Sequence, residues 1–344
     1  MKKNKPTHSD ISIVDIAEVL GVSAATVSRA LNDNPRISEA TRKRVKDKAQ
    51  EMGYRHNSMA SSLRNRRSNI VGLIVPRISM YFHAVFITAL QNRLQEEGYS
   101  LMVCQSNDHV AVEQKLAATL YSSRVDALVV SLALYTSDYS HFDGFTNKGL
   151  PLIFYDRVPT TAYPAHIIKG DDYRGGLIAG NHLIDRGCKR IAYISGPLSC
   201  SIYKERTEGF YHALQKANIQ LKEEWCFFHE LTAEHAWNSL RLLFAAEEKP
   251  DAIFASNDTT ALAAVEFARE RGMNVPSDLK IIGYSNDPRA SIITPPITSI
   301  DQHPAEMAAR VAHKLIHLLK DKTTQTKVDM QEIVPVTLVG RMTT

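Results

Sequence analysis

Residues 11–33 of this chain, ISIVDIAEVLGVSAATVSRALND, contain two short helical patterns separated by one glycine. The apolar residues of the first half recur at helical spacing, and acidic residues occupy its first turn. Gly21 then ends the helix, because glycine readily adopts the left-handed conformation found at helix C-termini, and Ser23 is a good N-cap for a second helix, about Ala24–Leu31. Two helices joined by a tight glycine turn form a helix-turn-helix, whose second helix places its first residues in the major groove of DNA.

The beginning of the second helix offers few side chains that can read DNA bases. Arg29 can form two hydrogen bonds to the O6 and N7 atoms of guanine, and Ser28 can donate or accept one. The methyl groups of Ala24 and Ala25 can contact a thymine methyl, while Thr26 either contacts a phosphate or helps to cap the helix. With the residues that flank this helix at each end included, the predicted DNA-binding residues are Ser23, Ala24, Ala25, Thr26, Ser28, Arg29 and Asn32.

Basic residues are concentrated at the front of the chain. Residues 1–68 hold 14 Lys or Arg and 7 Asp or Glu, a net charge of +7, whereas the remainder holds 27 and 30, a net charge of −3. A predicted third helix, about 38–52, carries five of the basic residues. They form either a solvated face or a set of phosphate contacts, and the neighbouring helix-turn-helix favours phosphate contacts. Only the front of the chain is therefore expected to meet a polyanion.

From Asn69 onward, short apolar runs alternate with helical stretches. Runs that are buried on both faces and separated by helices predict parallel sheets, and two sets of runs predict two lobes. The expected fold class is α/β: an all-α helix-turn-helix domain followed by a body of two doubly wound, parallel-sheet lobes. The runs lie at 70–75, 99–104, 125–130 and 150–156 for the first lobe, and at 190–196, 250–257 and 280–285 for the second.

Several classes of function are disfavoured by patterns that the sequence lacks. No apolar run approaches the roughly 18 residues of a membrane span, and no signal peptide is recognisable, so we expect a cytoplasmic protein without membrane contacts. A phosphate-binding glycine loop, a nucleophile elbow and an HExxH motif are missing, which argues against an enzyme; the glycines of DDYRGGLIAG are interpreted as helix-packing positions. A secreted sugar-binding receptor would fit the body but not the basic front. We expect no cofactor and no metal, and free thiols at Cys104, Cys188, Cys200 and Cys226.

Five segments resemble the LacI/GalR family of transcription regulators: DIAEVLGVSAATVSRALN, ISEATRKRV, MGYRHNSMASSLR, SNDTTALAA and IIGYSND. The resemblance runs from about Ile11 to Gly340. It implies a regulator whose body is folded like periplasmic sugar-binding proteins and holds a small molecule, a sugar or sugar derivative, between its lobes. The implied domains are 1–57 for DNA binding, 58–68 for a hinge and 69–344 for effector binding, with a first lobe of about 69–169 and 303–330 and a second of about 170–302 and 331–341.

The hinge segment, RHNSMASSLRNRRSN, is short, basic and poor in apolar residues, which alone would indicate a flexible tether. The resemblance instead implies a short helix that forms on operator DNA and enters the minor groove beside its counterpart from a second subunit. Leu63 matches the residue that wedges between base pairs and kinks the duplex. Ala60 matches the small residue that permits close approach, and Arg64 is expected to contact groove edges or phosphates.

Polar residues follow several predicted strands of the body, where open α/β sheets bind ligands. By resemblance, Asp156, Arg206, Asn257 and Gln302 match positions that contact sugar hydroxyls, and Asp258 either joins them or caps the following helix. Phe82 and its neighbour Tyr81 form an apolar wall or pack in the core. The predicted effector-binding residues are Asp156, Arg206, Asn257, Ser285, Gln302 and Phe82.

Two positions depart from the sugar-binding pattern. Ser285 replaces an acidic ligand, and Leu231 stands where an aromatic residue often stacks on a sugar ring. Arg157, beside Asp156, and Arg77, after the first strand, make an acidic sugar or a phosphorylated ligand an alternative to a neutral sugar.

The chain ends soon after its last apolar run and has no heptad-repeat tail, so the expected assembly is a homodimer. A two-fold dimer implies a pseudo-palindromic, double-stranded operator. Repression relieved by an inducer is the expected action, while activation, or a corepressor that tightens DNA binding, stays open.

Overall fold

The computed structural model describes residues 11–54, 67–320 and 331–344. Contacts divide the chain into two units, Met1–Ser68 and Asn69–Thr344. None of the helices in these described ranges has the length and apolarity that crossing a bilayer requires. Helices and strands are numbered below in chain order.

The first unit contains three helices, α1 Ile13–Leu20, α2 Ala24–Leu31 and α3 Glu39–Glu51. Gly21 ends α1 with a φ of 65°, as the sequence predicts, and Ser23 and Ser38 cap α2 and α3. Each of these signals acts within a few residues, which is why the sequence located the helices closely. The three helices enclose one small core, formed by Ile16, Ala17, Val27, Ala30, Val45 and Ala49.

The body begins with a lobe built on strands β1 Ile70–Val75, β2 Ser100–Gln105, β3 Ala127–Val130, β4 Leu152–Tyr155, β5 His166–Gly170 and β11 Gln331–Val334. Their order is β11-β5-β4-β3-β1-β2, and all neighbouring strands run parallel. Alternate residues of β1 pack into different core clusters: Val71 and Leu73 on one face of the sheet, Ile74 on the other. The clusters are completed by helices α4 Tyr81–Glu96, α5 Val110–Ser122, α6 Asp143–Asn147 and α12 Pro304–Lys320.

The second lobe is built on strands β6 Ile191–Ser195, β7 Cys226–Phe228, β8 Ala252–Ala255, β9 Lys280–Tyr284, β10 Thr298–Asp301 and β12 Thr337–Val339. Their order is β12-β10-β9-β8-β6-β7, parallel except for the antiparallel pair of β10 and β12. This architecture confirms the predicted α/β class with two doubly wound lobes. The helices on its two faces are α7 Asp172–Asp185, α8 Ser201–Lys216, α9 Ala233–Ala245, α10 Asp258–Glu270 and α11 Pro288–Ile292.

The chain crosses between the lobes at three places. The first two lie after β5 and after β10, close to the expected positions. The third was expected near Gln331, but Gln331–Val334 pairs with β5 in the first lobe, so the crossing lies between Val334 and Thr337. Pro335 stands at this point; since proline cannot donate a backbone hydrogen bond, it separates one apolar run into two strands of different sheets.

Helices α7 and α8 pack with their backbones in direct contact. A Cβ atom on Gly176 would lie 2.0 Å from the carbonyl oxygen of Arg206, and one on Gly209 would lie 1.9 Å from that of Tyr173. Only glycine fits at such distances. The interpretation of the DDYRGGLIAG glycines as helix-packing positions is therefore confirmed, and this packing places Arg206 of α8 against Asp172 at the start of α7.

Candidate functional site

The residues predicted to read DNA lie on and around α2. Val27 and Ala30 face the core, which leaves Ala25 and Arg29, one helical turn apart, exposed on the outer face. The Arg29 backbone carbonyl accepts a hydrogen bond from Asn34 N–H, but among the described residues its side chain has no hydrogen-bond or ion-pair partner. The guanidinium is exposed, and Ser28 lies beside it, half-buried.

The other predicted residues of this segment support the helix. The Ser23 hydroxyl accepts a hydrogen bond from the Thr26 backbone N–H at 3.1 Å and lies 2.9 Å from the Thr26 hydroxyl. The Asn32 amide donates to the Ser28 carbonyl oxygen at 2.7 Å. Of the two roles considered for Thr26, the structure provides the contact with the cap. Ala24 is half-buried against the core of the unit.

Basic residues of α3 also have partners within the unit. Arg44 donates to the Leu20 carbonyl oxygen at 2.6 Å, at the end of α1, and Lys46 pairs with Asp33 at 2.6 Å. Such bonds hold the turns around α2 in place. The hinge residues Ala60, Leu63 and Arg64 lie outside the described residues.

In the body, all six predicted effector-binding residues line one cavity of about 60 Å³, here called the inner chamber. It lies between the lobes at the carboxyl ends of the strands, as expected for this fold class. The six come from both lobes and from six different segments: Phe82 at the start of α4, Asp156 after β4, Arg206 on α8, Asn257 after β8, Ser285 after β9 and Gln302 after β10.

Asp156 is a buried carboxylate with a left-handed backbone, φ 57°. The Ser131 hydroxyl donates to its Oδ2 at 3.3 Å. Burial raises the pKa of this carboxyl from 3.8 to about 6, and the neighbouring Arg157 opposes part of the rise. Asp156 is therefore mostly ionised at neutral pH and can accept hydrogen bonds from hydroxyls.

Arg206 is held by three groups that the sequence did not identify. Its Nε donates to Asp172 at 2.7 Å, its Nη1 donates to the Ser256 carbonyl oxygen at 2.9 Å, and its guanidinium lies 3.7 Å from the centre of the Tyr284 ring. The Tyr284 hydroxyl also donates to Asp172, at 3.1 Å. All these side chains are buried. Arg206 is thus part of the framework of the second lobe as well as of the chamber wall.

The helix cap considered for Asp258 is provided by its neighbour Asn257. Asn257 is the N-cap of α10, because its Oδ1 accepts from Thr260 N at 2.8 Å, and its Nδ2 donates to the Leu231 carbonyl oxygen. Asp258 is buried and accepts hydrogen bonds from the Ser299 hydroxyl and the Asp287 backbone. Of the two roles considered for Asp258, the structure contradicts the helix cap, while Asp258 does line the inner chamber; its contact with an effector stays a prediction.

A second cavity of about 190 Å³, here called the outer chamber, adjoins the inner one. The two share five lining residues, among them Arg157 and Tyr203. Both arginines that suggested an anionic ligand are paired in the outer chamber: Arg157 forms an ion pair with Asp108, and Arg77 donates to the same carboxylate at 3.2 Å. This pairing removes most of the reason for expecting an acidic or phosphorylated ligand.

Comparisons with known proteins agree with this architecture. Residues 12–57 match the family described as bacterial regulatory proteins, lacI family, and residues 181–344 match a periplasmic binding protein-like domain. The transcriptional repressor PurR of Actinobacillus pleuropneumoniae is 31% identical over 314 residues, 91% of this chain and 93% of that protein. The transcriptional regulator DegA of Bacillus subtilis is 32% identical and covers 87% of this chain and 88% of its own length.

Solved structures show the same fold. The Lac repressor dimer bound to operator and the anti-inducer ONPF has a TM-score of 0.85 at 24% identity, covering 97% of this chain and 99% of its own. A complex of the regulator CelR with cellobiose has a TM-score of 0.72 at 27% identity, covering 97% and 100%. The similar proteins are regulators and not enzymes, as predicted. With a helix-turn-helix in front and an effector-binding body behind, the chain belongs to the LacI family of DNA-binding transcriptional repressors.

Proposed function

We propose that this repressor binds its operator as a homodimer, and that a carbohydrate-like molecule held between the lobes controls its affinity for the operator. The inner chamber carries the proposal, since carboxylate, guanidinium and amide groups from both lobes line one small space. Hydroxyl groups both donate and accept hydrogen bonds, and they match such a mixed lining. The cellobiose complex of the similar regulator CelR supports the same ligand class.

On the DNA side, we propose that residues 1–57 bind the major groove through Arg29 and Ser28, with the methyl groups of Ala24 and Ala25 against thymine. The segment 58–68 serves as the hinge, with Leu63 as the minor-groove wedge. A two-fold dimer requires a pseudo-palindromic operator, and the repressor acts in the cytoplasm, where that DNA lies.

Selection of duplexes from a random pool by the full-length protein tests this function. We expect a pseudo-palindromic sequence whose binding weakens steeply with salt. A panel of sugars is then added to the complex. If a sugar changes the affinity of the protein for the operator by some factor, the operator must change the affinity for that sugar by the same factor. Absence of any sequence preference would exclude operator binding; a response to nucleobases and to no carbohydrate would exclude only the ligand class.

The pKa of Asp156 leads to a pH prediction. Protonation below about pH 6 removes a hydroxyl acceptor, so effector affinity should fall by about tenfold between pH 7 and pH 5 and stay constant above pH 7. Isothermal titration of the wild type and of Asp156→Asn checks this, because the amide cannot ionise and its affinity should be flat. Burial also raises the pKa of Asp258 to about 6. If Asp156→Asn kept the full pH dependence of effector affinity, the titrating group would be a residue other than Asp156.

A further inference from the structure

A third cavity lies outside the cleft, at one edge of the second lobe. It measures about 570 Å³, more than the inner and outer chambers together, and is here called the side groove. Its lining comes from the second half of α8, from the edge strand β7 and from the segment 219–223 between them. A space of this volume holds a small organic molecule.

Two aromatic rings are exposed in the side groove. Tyr211 of α8 is 40% exposed and Phe228 of β7 is 38% exposed. Leu214, Ile219 and Leu221 add aliphatic surface beside them. Apolar side chains grouped around a cavity mark a binding site, whereas single exposed ones need no explanation. A flat ring of a ligand can stack on either aromatic side chain.

The charge of the side groove is negative. Glu223 is the one charged residue in the lining that the structure describes, and it forms no ion pair there. The neighbouring Lys222 pairs with Glu248, and its Nζ lies 4.7 Å from the centre of the Trp225 ring. An ammonium group near Glu223 would gain a partner of opposite charge, and the faces of the aromatic rings also attract cations. A carboxylate or phosphate would be repelled.

The strand at this edge is too short to favour a peptide as the occupant. β7 spans three residues, Cys226–Phe228, and its neighbour in the sheet is β6. A peptide that added itself as a further strand would find few backbone groups to pair with. A compact molecule inside the groove uses the aromatic and acidic side chains directly.

One buried tyrosine connects the side groove with the inner chamber. The centre of the Tyr193 ring, on β6, lies 6.4 Å from that of Tyr211 and 6.0 Å from that of Phe228. Its hydroxyl oxygen accepts a hydrogen bond from the Ser256 hydroxyl at 3.1 Å. Ser256 lines the inner chamber, and its carbonyl oxygen accepts a hydrogen bond from Arg206. A ligand that shifts Tyr211 or Phe228 therefore acts on a side chain that is bonded to the chamber wall.

We propose that the side groove is a second ligand site, separate from the cleft, which binds a small aromatic cation with its ring against Tyr211 and Phe228 and its ammonium group near Glu223. Occupancy of this site is transmitted to the inner chamber through Tyr193 and changes operator affinity. Binding at the side groove does not depend on the proposed carbohydrate function, whereas the effect on the operator rests on the proposed control of operator affinity by the chamber.

Three probes with the same indole ring and different charges test the ligand class by isothermal titration of the full-length protein. They are tryptamine, a cation, tryptophol, which is neutral, and indole-3-acetate, an anion; spermidine serves as a cation without a ring. We expect tryptamine to bind about tenfold or more tightly than each of the others. Equal binding of the three indoles would overturn the role of charge, and equal binding of spermidine would overturn the role of the ring. If none of the four bound, the side groove would not be a ligand site.

Glu223→Gln locates the ammonium group, with Glu224→Gln as its matched control. Glu224 is the next residue of the same turn, is equally exposed and does not line the groove. We expect Glu223→Gln to lower the ratio of tryptamine to tryptophol affinity by about fivefold, and Glu224→Gln to leave it within about twofold of the wild type. Equal ratios in the two variants would place the amine elsewhere on the protein.

Operator affinity shows whether the side groove acts on the rest of the protein. Saturating tryptamine should change the affinity of the wild type for its selected operator by about fivefold, and the operator should change tryptamine affinity by the same factor. Glu223→Gln at the same tryptamine concentration controls for binding of the amine to DNA. An equal change in both proteins would place the effect on the DNA and overturn the transmission.

Tyr193→Phe tests the route of transmission, because it keeps the ring and removes the hydroxyl that bonds Ser256. We expect this variant to bind tryptamine within about twofold of the wild type and to lose most of the effect on the operator. Thermal melting checks that it is folded. An undiminished effect in Tyr193→Phe, or no effect in the wild type, would overturn the connection through Tyr193 and leave the side groove as a ligand site.

Discussion

Replacement of Arg206 by alanine should lower the free energy of unfolding of the body by about 3–5 kcal/mol, the cost of leaving one partner of a buried ion pair uncompensated. Asp172 is almost fully buried and pairs with Arg206 at 2.7 Å. Burial already raises the pKa of Asp172, and the Arg206 guanidinium is the main group that opposes the rise. The variant also loses the hydrogen bond to Ser256 and the contact with the Tyr284 ring. Urea denaturation followed by circular dichroism measures the change.

The double variant Asp172→Asn with Arg206→Met is the control for this prediction. It removes both charges and keeps much of the volume, so it should be more stable than Arg206→Ala alone, because no unpaired charge remains. An Arg206→Ala cost below about 1 kcal/mol would show that the pair does not hold the lobe together.

Arg206 both lines the chamber and stabilises the second lobe, so its replacement changes effector binding and folding together. Loss of the effector response in Arg206→Ala would not by itself identify Arg206 as a ligand contact, since the same substitution leaves Asp172 unpaired and removes the contact with Tyr284, which lines the chamber. Comparison at a temperature where melting shows both proteins folded separates the two effects. Variants of Gln302, which lines the chamber and is not a hydrogen-bond partner of Arg206 or Asp172, provide the cleaner test of effector contact.

The sequence predicted those parts of the fold that depend on local signals. The caps of α1 and α2 lie within three residues of the groups they satisfy, so the helix-turn-helix could be located almost to the residue. The buried central strands were visible as apolar runs. Three other strands were not: β5, HIIKG, lies between β4 and β11 but mixes polar and apolar residues, and β11 and β12 occupy one apolar run that Pro335 divides.

The candidate site could be predicted only in part, for a physical reason. Residues that follow the strands were expected to meet because the carboxyl ends of parallel strands share one edge of a sheet. The partners that hold them were not, since Asp172 lies 34 residues from Arg206 and 112 from Tyr284 along the chain. The pairing of Arg77 and Arg157 with one carboxylate, Asp108, is likewise set by the packing of three strand ends and by no local pattern.

Replacement of Arg29 by alanine should weaken binding to the selected operator by about 1–3 kcal/mol and relax the base preference at one position of each half-site. The exposed guanidinium on α2 has no described partner within its unit, so its removal should leave the fold intact, and thermal melting should be unchanged. Fluorescence anisotropy with the selected duplex and with single-base variants of it measures both the loss and the relaxed position.

Lys43→Ala is the matched control, because Lys43 is an exposed basic residue of α3 and is not among the residues proposed to read bases. A phosphate contact carries no sequence information, so its loss should weaken all duplexes to a similar extent and reduce the slope of log affinity against log salt by about one. Arg29→Ala should instead act mainly on the operator. If both variants weakened operator and random DNA equally, Arg29 would be a backbone contact, and the base-reading role on α2 would pass to Ser28 and the alanine methyl groups, which can distinguish fewer bases.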